Sequence, residues 1–186
     1  LSKRDPDLIE FFITRGADVN KPTGYSQNMP LAVVLPYRDV ATVEVLLKNG
    51  ADVSLLNEND IYTVMQNKKD NALFDLLVDG GVKVTERSMG TALYEGMMSH
   101  AQKLLEKGVR PDRECLILAV SGKTQAGIDF CLKQGVDPRA AKQKYEADAA
   151  FKSVYTRSAN YEEVLATLAK LSETAPTQAA PKPPRP

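Results

Sequence analysis

Apolar positions along this chain fall into a recurring pattern: an apolar run at helical spacing, then Gly, then a short polar turn. The clearest copy is Val43-Glu44-Val45-Leu46-Leu47-Lys48-Asn49-Gly50-Ala51-Asp52-Val53. Val43, Leu46 and Leu47 stand at i, i+3 and i+4 and so share one helix face. Gly50 takes the position just past the helix, where a left-handed backbone is wanted and a Cβ is costly. A second copy runs Phe11-Phe12-Ile13-Thr14-Arg15-Gly16-Ala17-Asp18-Val19-Asn20, and weaker copies close at Gly81, Gly108 and Gly135. These glycines are 34, 31, 27 and 27 residues apart. A near-constant period of this size marks a stacked-repeat architecture.

Upstream of the phrases lie further apolar segments, at 30–35, 61–65, 89–94 and 114–120, each suited to a first helix that pairs with the one closing at Gly. The unit is therefore turn, short first helix, tight connection, longer second helix, Gly. No single unit can bury its apolar face, so the units must stack, and stacking offers an extended concave surface to partners. Helices should dominate, with strands nearly absent.

The Gly16-Ala17-Asp18-Val19-Asn20 turn, its second appearance as Gly50-Ala51-Asp52-Val53, and Met29-Pro30-Leu31 opening a first helix resemble the ankyrin repeat family. The resemblance covers residues 5 to 138 and extends through the helical end to about Leu171. No unit carries the family's His after its opening Thr-Pro-Leu, and the units closing at Gly108 and Gly135 are short. Those two should lack a full projecting turn and approach a plain helix-pair solenoid. The resemblance implies an all-α, ankyrin-like helix-turn-helix repeat solenoid whose function is to bind another protein.

The two ends read differently. Residues 5 to 15 suit the second helix of a first, partial repeat. After Pro138, two helical stretches at 141–157 and 161–172 carry no closing Gly phrase, which fits a C-terminal helical cap, with residues 158–160 supplying the turn between them. Residues 174–186 are Pro-rich with no large apolar side chain, so the repeat domain is expected to span 1–173 and to be followed by a disordered tail. The chain starts at Leu1 with no signal peptide visible. This suits a cytoplasmic protein, or a periplasmic or secreted one if a leader has been removed.

The 24 basic and 24 acidic residues cancel, which argues against a nucleic-acid binder. No apolar run is long enough to span a bilayer. The sequence holds no phosphate-cradling Gly-rich loop after a strand, no nucleophile elbow and no zinc spacing, so neither catalysis nor a cofactor or metal is expected. The lone His100, just before a helix expected at 101–107, reads as structural or solvent-exposed. Cys115 and Cys131 lie eight residues either side of Lys123, near the tight connection, and so at similar heights on an antiparallel helix pair. Two readings stay open for them: a disulfide, which needs Cα atoms within about 7 Å and an oxidising compartment, or buried thiols, with Cys131 replacing Leu46.

Candidate partner contacts follow from exposure that the repeat alone cannot relieve. Leu55 and Leu56 stand side by side in a projecting turn. Leu55 is expected beneath a neighbouring finger and Leu56 at the surface. Tyr25 on its Gly/Pro-shaped loop is a good anchor type. Tyr37, Tyr62, Gln66, Tyr94 and Met98 either face the groove from the first helices or pack between neighbours. Arg87, Arg110 and Arg113 sit in later turns, solvated or pairing with a partner's carboxylates. The expected function is a non-enzymatic binding module, monomeric in isolation, that inhibits or sequesters a partner such as a self-toxic bacterial hydrolase. The rival expectation is an adaptor whose tail holds a second protein.

Overall fold

The computed structural model describes residues 5–22, 28–66, 71–147 and 161–175. Among them the chain forms helices and no extended strand: α1 (Pro6–Thr14), α2 (Pro30–Val34), α3 (Val40–Lys48), α4 (Glu58–Met65), α5 (Ala72–Asp79), α6 (Glu86–Tyr94), α7 (Met98–Glu106), α8 (Arg113–Ser121), α9 (Gln125–Lys133), α10 (Pro138–Ala147) and α11 (Tyr161–Thr174). Short 3₁₀ turns follow α2 at Leu35–Tyr37 and precede α4 at Val53–Leu55.

The recurring Gly works as the pattern predicts. Gly50 has φ +87, its N–H donates to the Leu47 carbonyl at 3.0 Å, and the Ala51 N–H donates to the Leu46 carbonyl at 2.9 Å. This is the paired-bond C-cap that satisfies the last carbonyls of a helix. The same two bonds recur at Gly16, Gly81, Gly108 and Gly135, all with positive φ. Each cap turns the chain sharply out of the second helix and fixes where the next first helix begins.

Core side chains repeat in register with these caps. Leu46, Leu77, Leu104 and Cys131 each stand four residues before a capping Gly, and Val43, Phe74, Ala101 and Ile128 stand seven before it. All eight are buried. They join the apolar faces of α2, α4, α6, α8 and α10 in a continuous core that runs from Leu31 to Leu168. Phe12 occupies the position of Leu46 in α1 and is 54 % exposed, because α1 has its neighbour α3 on one side only among the described elements.

Second helices form an outer row, α1 on α3, α3 on α5 and α5 on α7, while α4, α6, α8 and α10 stack as an inner row. The terminal pair keeps this order: α11 packs on α10 and α8, as α9 packs on α8 and α6. Tyr145 and Tyr161 stack at 5.1 Å inside that pair. Lys123 and Glu163 form an ion pair of 2.8 Å that ties α11 to the preceding unit.

Several expectations need correction. First helices are not shorter than second ones throughout, since α6 and α8 match α7 and α9 at nine residues. Met98 opens α7, a second helix, and does not stand on a first helix. His100 lies inside α7 and not before it. The helix after residue 137 starts at Pro138, and the last one continues to Thr174, where a Pro-rich tail was expected to begin. Positions 148–160, including the expected turn at 158–160, lie outside the described residues, as does most of the tail.

The projecting turns shorten along the array, from residues 49–57 to 80–85, 107–112 and 134–137. The first two fingers are stitched together by Asn20. Its amide donates to the Gly50 carbonyl at 2.9 Å and its carbonyl accepts the Asp52 N–H at 2.8 Å. Neighbouring units are also joined at the far end of the first helices. Arg38, left-handed at φ 59, donates from its guanidinium to the Thr63 and Val64 carbonyls at the end of α4, where the helix dipole favours a cation. Further on, the backbones themselves meet: a Cβ at Gly122 would overlap the Tyr94 carbonyl, so the chain there needs a residue without one.

Candidate protein-interaction groove

Two stripes of side chains face each other across the inner row. On α4 and its C-cap, Glu58, Tyr62 and Gln66 stand at i, i+4 and i+8. On α6 and its C-cap, Arg87, Thr91 and Glu95 hold the same spacing, 29 residues later in the chain. Side chains four apart lie along one helix face, so consecutive units present equivalent positions to a shared groove. The groove consists of two chambers of about 200 and 210 Å³. The first is lined by Glu58, Asn59, Tyr62, Met65, Arg87, Ser88 and Thr91. The second takes Tyr62, Met65, Gln66, Thr91, Glu95 and Met97. Tyr62, Met65 and Thr91 are common to both and form the waist.

The floor is apolar, since Met65 and Met97 are buried in the core, whereas Tyr62 is 48 % exposed at the rim. Arg87 and Glu58 pair at 3.2 Å across the first chamber's mouth, and Thr85 donates to the same Glu58 carboxylate at 3.2 Å. The second chamber has one charged lining residue, Glu95. Tyr37 and Tyr94 add 55 % and 42 % exposed rings on the flanking first-helix ends, and Val33 is exposed one turn before Tyr37. Exposed aromatic rings beside buried apolar floors are the composition of interaction hot spots.

The structure thus gathers Tyr62, Gln66 and Arg87 into one site and sets Tyr37 and Tyr94 beside it. Met98 packs partly buried against the core, and the neighbouring Met97 lines the groove instead. Arg110 donates to the Gln134 side chain at 3.2 Å, and Arg113 is exposed at the start of α8, both in the unit after α6 and α7. Tyr25 lies outside the described residues. The two finger leucines exchange roles: Leu56 is buried at 7 % and Leu55 is 44 % exposed. The reason is the 3₁₀ turn at Val53–Leu55, closed by the Leu56 N–H donating to the Val53 carbonyl at 3.1 Å, with Val53 and Leu56 both directed into the core. Glu58, Asn59, Met65, Ser88, Thr91, Glu95 and Met97 were missed. The signal for two of them is in the sequence, since Thr91 and Glu95 repeat Tyr62 and Gln66 at a constant offset.

Titratable groups elsewhere read as structural. His100 is buried, its ring 4.2 Å from that of Phe74, and burial lowers its pKa although Asp75 acts in the opposite direction. Its Nε2 has no hydrogen-bond partner among the described residues. Cys115 and Cys131 are both buried, with free thiols. Desolvation pushes the Cys131 thiol up to about 12 and raises Cys115 further, so neither forms a thiolate at neutral pH. On the outer face, Lys103 and Lys107 hydrogen-bond Asp79 at 2.8 and 2.9 Å and hold its carboxyl below the usual range. Among the described residues no group of His, Cys, Asp and Glu side chains is set to hold a metal ion, and no helix is long and apolar enough to cross a membrane.

No protein-family profile matches the chain. The sequence is 26 % identical over 106 residues to an ankyrin repeat protein of Acanthamoeba polyphaga mimivirus, a match that takes in 55 % of this chain. The chain spans about a third of that relative's length, 34 %. The repeated Gly-capped phrase, the stacked helix pairs with projecting turns, and this relative agree on one assignment: the chain is an all-α, ankyrin-like repeat array.

Proposed function

We propose that this array is a non-enzymatic protein-interaction module, and that the groove between α4 and α6 is its principal contact surface. The observation that carries the reading is the pair of facing stripes, in which a half-exposed Tyr62 stands over a buried methionine floor with charged side chains at the rim. Rigid helices supply these side chains, so little conformational entropy is lost on binding. The finer reading is that the module inhibits or sequesters its partner by covering it. The concave face supports this, because it meets a convex partner over several units at once.

The test is an affinity capture from the source cell with the parent chain and with a Tyr62→Ala, Tyr94→Ala variant, followed by activity assays on any captured enzyme. A stoichiometric partner retained by the parent and lost by the variant supports the groove. Full activity of that enzyme in the saturated complex would sink inhibition while leaving binding intact. A partner indifferent to both tyrosines moves the contact surface elsewhere.

A further inference from the structure

The open side of α1 carries an ordered set of side chains. Ile9 and Ile13 pack against the core, and Glu10 pairs with Lys48 of α3 at 3.2 Å. Away from α3, Asp7, Phe11 and Arg15 stand at i, i+4 and i+8 on one face, and all three are exposed. Phe11 and Phe12 meet edge to face with ring centroids 5.7 Å apart, and the Arg15 guanidinium lies 4.6 Å from the centre of the Phe11 ring. The two rings are 48 and 54 % exposed, and Phe12 holds a register position that is buried in α3, α5, α7 and α9. Adjacent exposed apolar rings with charges at the rim mark an interaction surface.

The order of charges identifies what covers it. Along α1 the stripe reads acid, ring, base, and it is symmetric about Phe11. Four residues of helix advance about 6 Å, so the two charges lie at equal distances on either side of that ring. We infer that this face pairs with the same face of a second copy of the chain, the two α1 helices running antiparallel about a dyad at Phe11. Phe11 then meets its own copy, Phe12 extends the apolar patch beside it, and Asp7 of each copy meets Arg15 of the other at both ends. Helices paired in the same direction would bring acid to acid and base to base. The Asp7 carboxylate is not used by the helix cap, which Asp5 makes by accepting the Asp7 and Leu8 N–H groups at 3.1 and 3.3 Å. Such an interface is isologous and closed, giving a dimer and no filament. One helix per copy keeps it below about 1,200 Å², the range of weak, reversible association, in place of the expected monomer. It lies at the end of the outer row, beyond α3 and α5, and is independent of what the α4–α6 groove binds.

The experiment is sedimentation equilibrium of the full chain at micromolar to millimolar concentrations, with Phe11→Ala, Asp7→Arg, Arg15→Asp and the double variant Asp7→Arg, Arg15→Asp. All three positions are exposed, so the variants should fold, and their helical circular dichroism checks this. The expected result is a monomer–dimer equilibrium for the parent, weakened about tenfold by each single charge reversal and at least as much by Phe11→Ala. The double variant again sets acid against base and should dimerise like the parent, a recovery that damage to the fold by either change would not give. A parent that stays monomeric at millimolar concentration would overturn the inference. So would a dimer indifferent to Phe11→Ala or to the single reversals, or a double variant no stronger than the singles.

Discussion

Leu55 and Leu56 provide the sharpest test of how the first complete finger is built. Leu56 is 7 % exposed and belongs to the continuous core, whereas Leu55 is 44 % exposed. Leu56→Ala removes three carbon atoms, worth about 2.4 kcal/mol at about 0.8 kcal/mol per buried methylene. Leu-to-Ala losses in cores run from about 2 to 5 kcal/mol, and a finger partly open to solvent can relax toward the lower end. The expected loss is therefore about 2.5 kcal/mol, or about 5–10 °C in melting temperature for a chain of this size. Leu55→Ala should cost less than about 1 kcal/mol, since much of its surface stays in water. Urea and thermal unfolding of both variants, followed by circular dichroism at 222 nm, measure the difference. Equal losses, or a larger loss for Leu55→Ala, would refute the assignment of Leu56 to the core. Leu56→Asp should unfold the finger, because it would bury a carboxylate in the core.

Other consequences are as direct. In Gly122→Ala the new Cβ would overlap the Tyr94 carbonyl, and such overpacking costs about 1–3 kcal/mol or more; the variant should melt below the parent, and a higher melting temperature would show that the two backbones are not so close. Asn20→Ala severs both bonds between the first two fingers and should cost about 1–2 kcal/mol, with faster amide exchange at Asp52 as the local sign. His100 has a folded-state pKa below its ordinary 6.5, so the native state binds fewer protons than the unfolded chain once the pH falls below about 6.5. Stability should accordingly be full above that pH and drain away as pH falls from 6.5 toward the folded pKa, and His100→Leu should remove this component from stability measured between pH 7.5 and 5.5. Cys115 and Cys131 should resist a thiol reagent at pH 8 in the folded protein and react fully in denaturant; fast native labelling would contradict their burial.

The one-dimensional pattern carried the repeat because its causes are local. A helix face at i, i+3 and i+4 and a capping Gly depend on neighbours a few residues away, so Val43, Leu46 and Gly50 announce their roles in any context. Cys131 was legible as a core residue for the same reason, since it stands four before Gly135 where Leu46 stands before Gly50. Roles that depend on a neighbouring unit were not legible. Leu55 and Leu56 differ only in how the 3₁₀ turn at Val53 rotates them, and that turn is held against an adjacent layer. The pattern places Met98 on a first helix, but α7 begins at Met98, earlier than the expected 101–107, so Met98 opens a second helix and the buried Met97 before it lines the groove. Thr91 and Glu95 become a site only when α6 lies beside α4, and Gly122 is needed only because Tyr94 comes to rest against it. The sequence by itself determined the helices, their caps and the fact of stacking, through short-range sterics and apolar periodicity. The tertiary structure alone decided which exposed residues face one another, because that depends on how closely and at what rotation successive units pack.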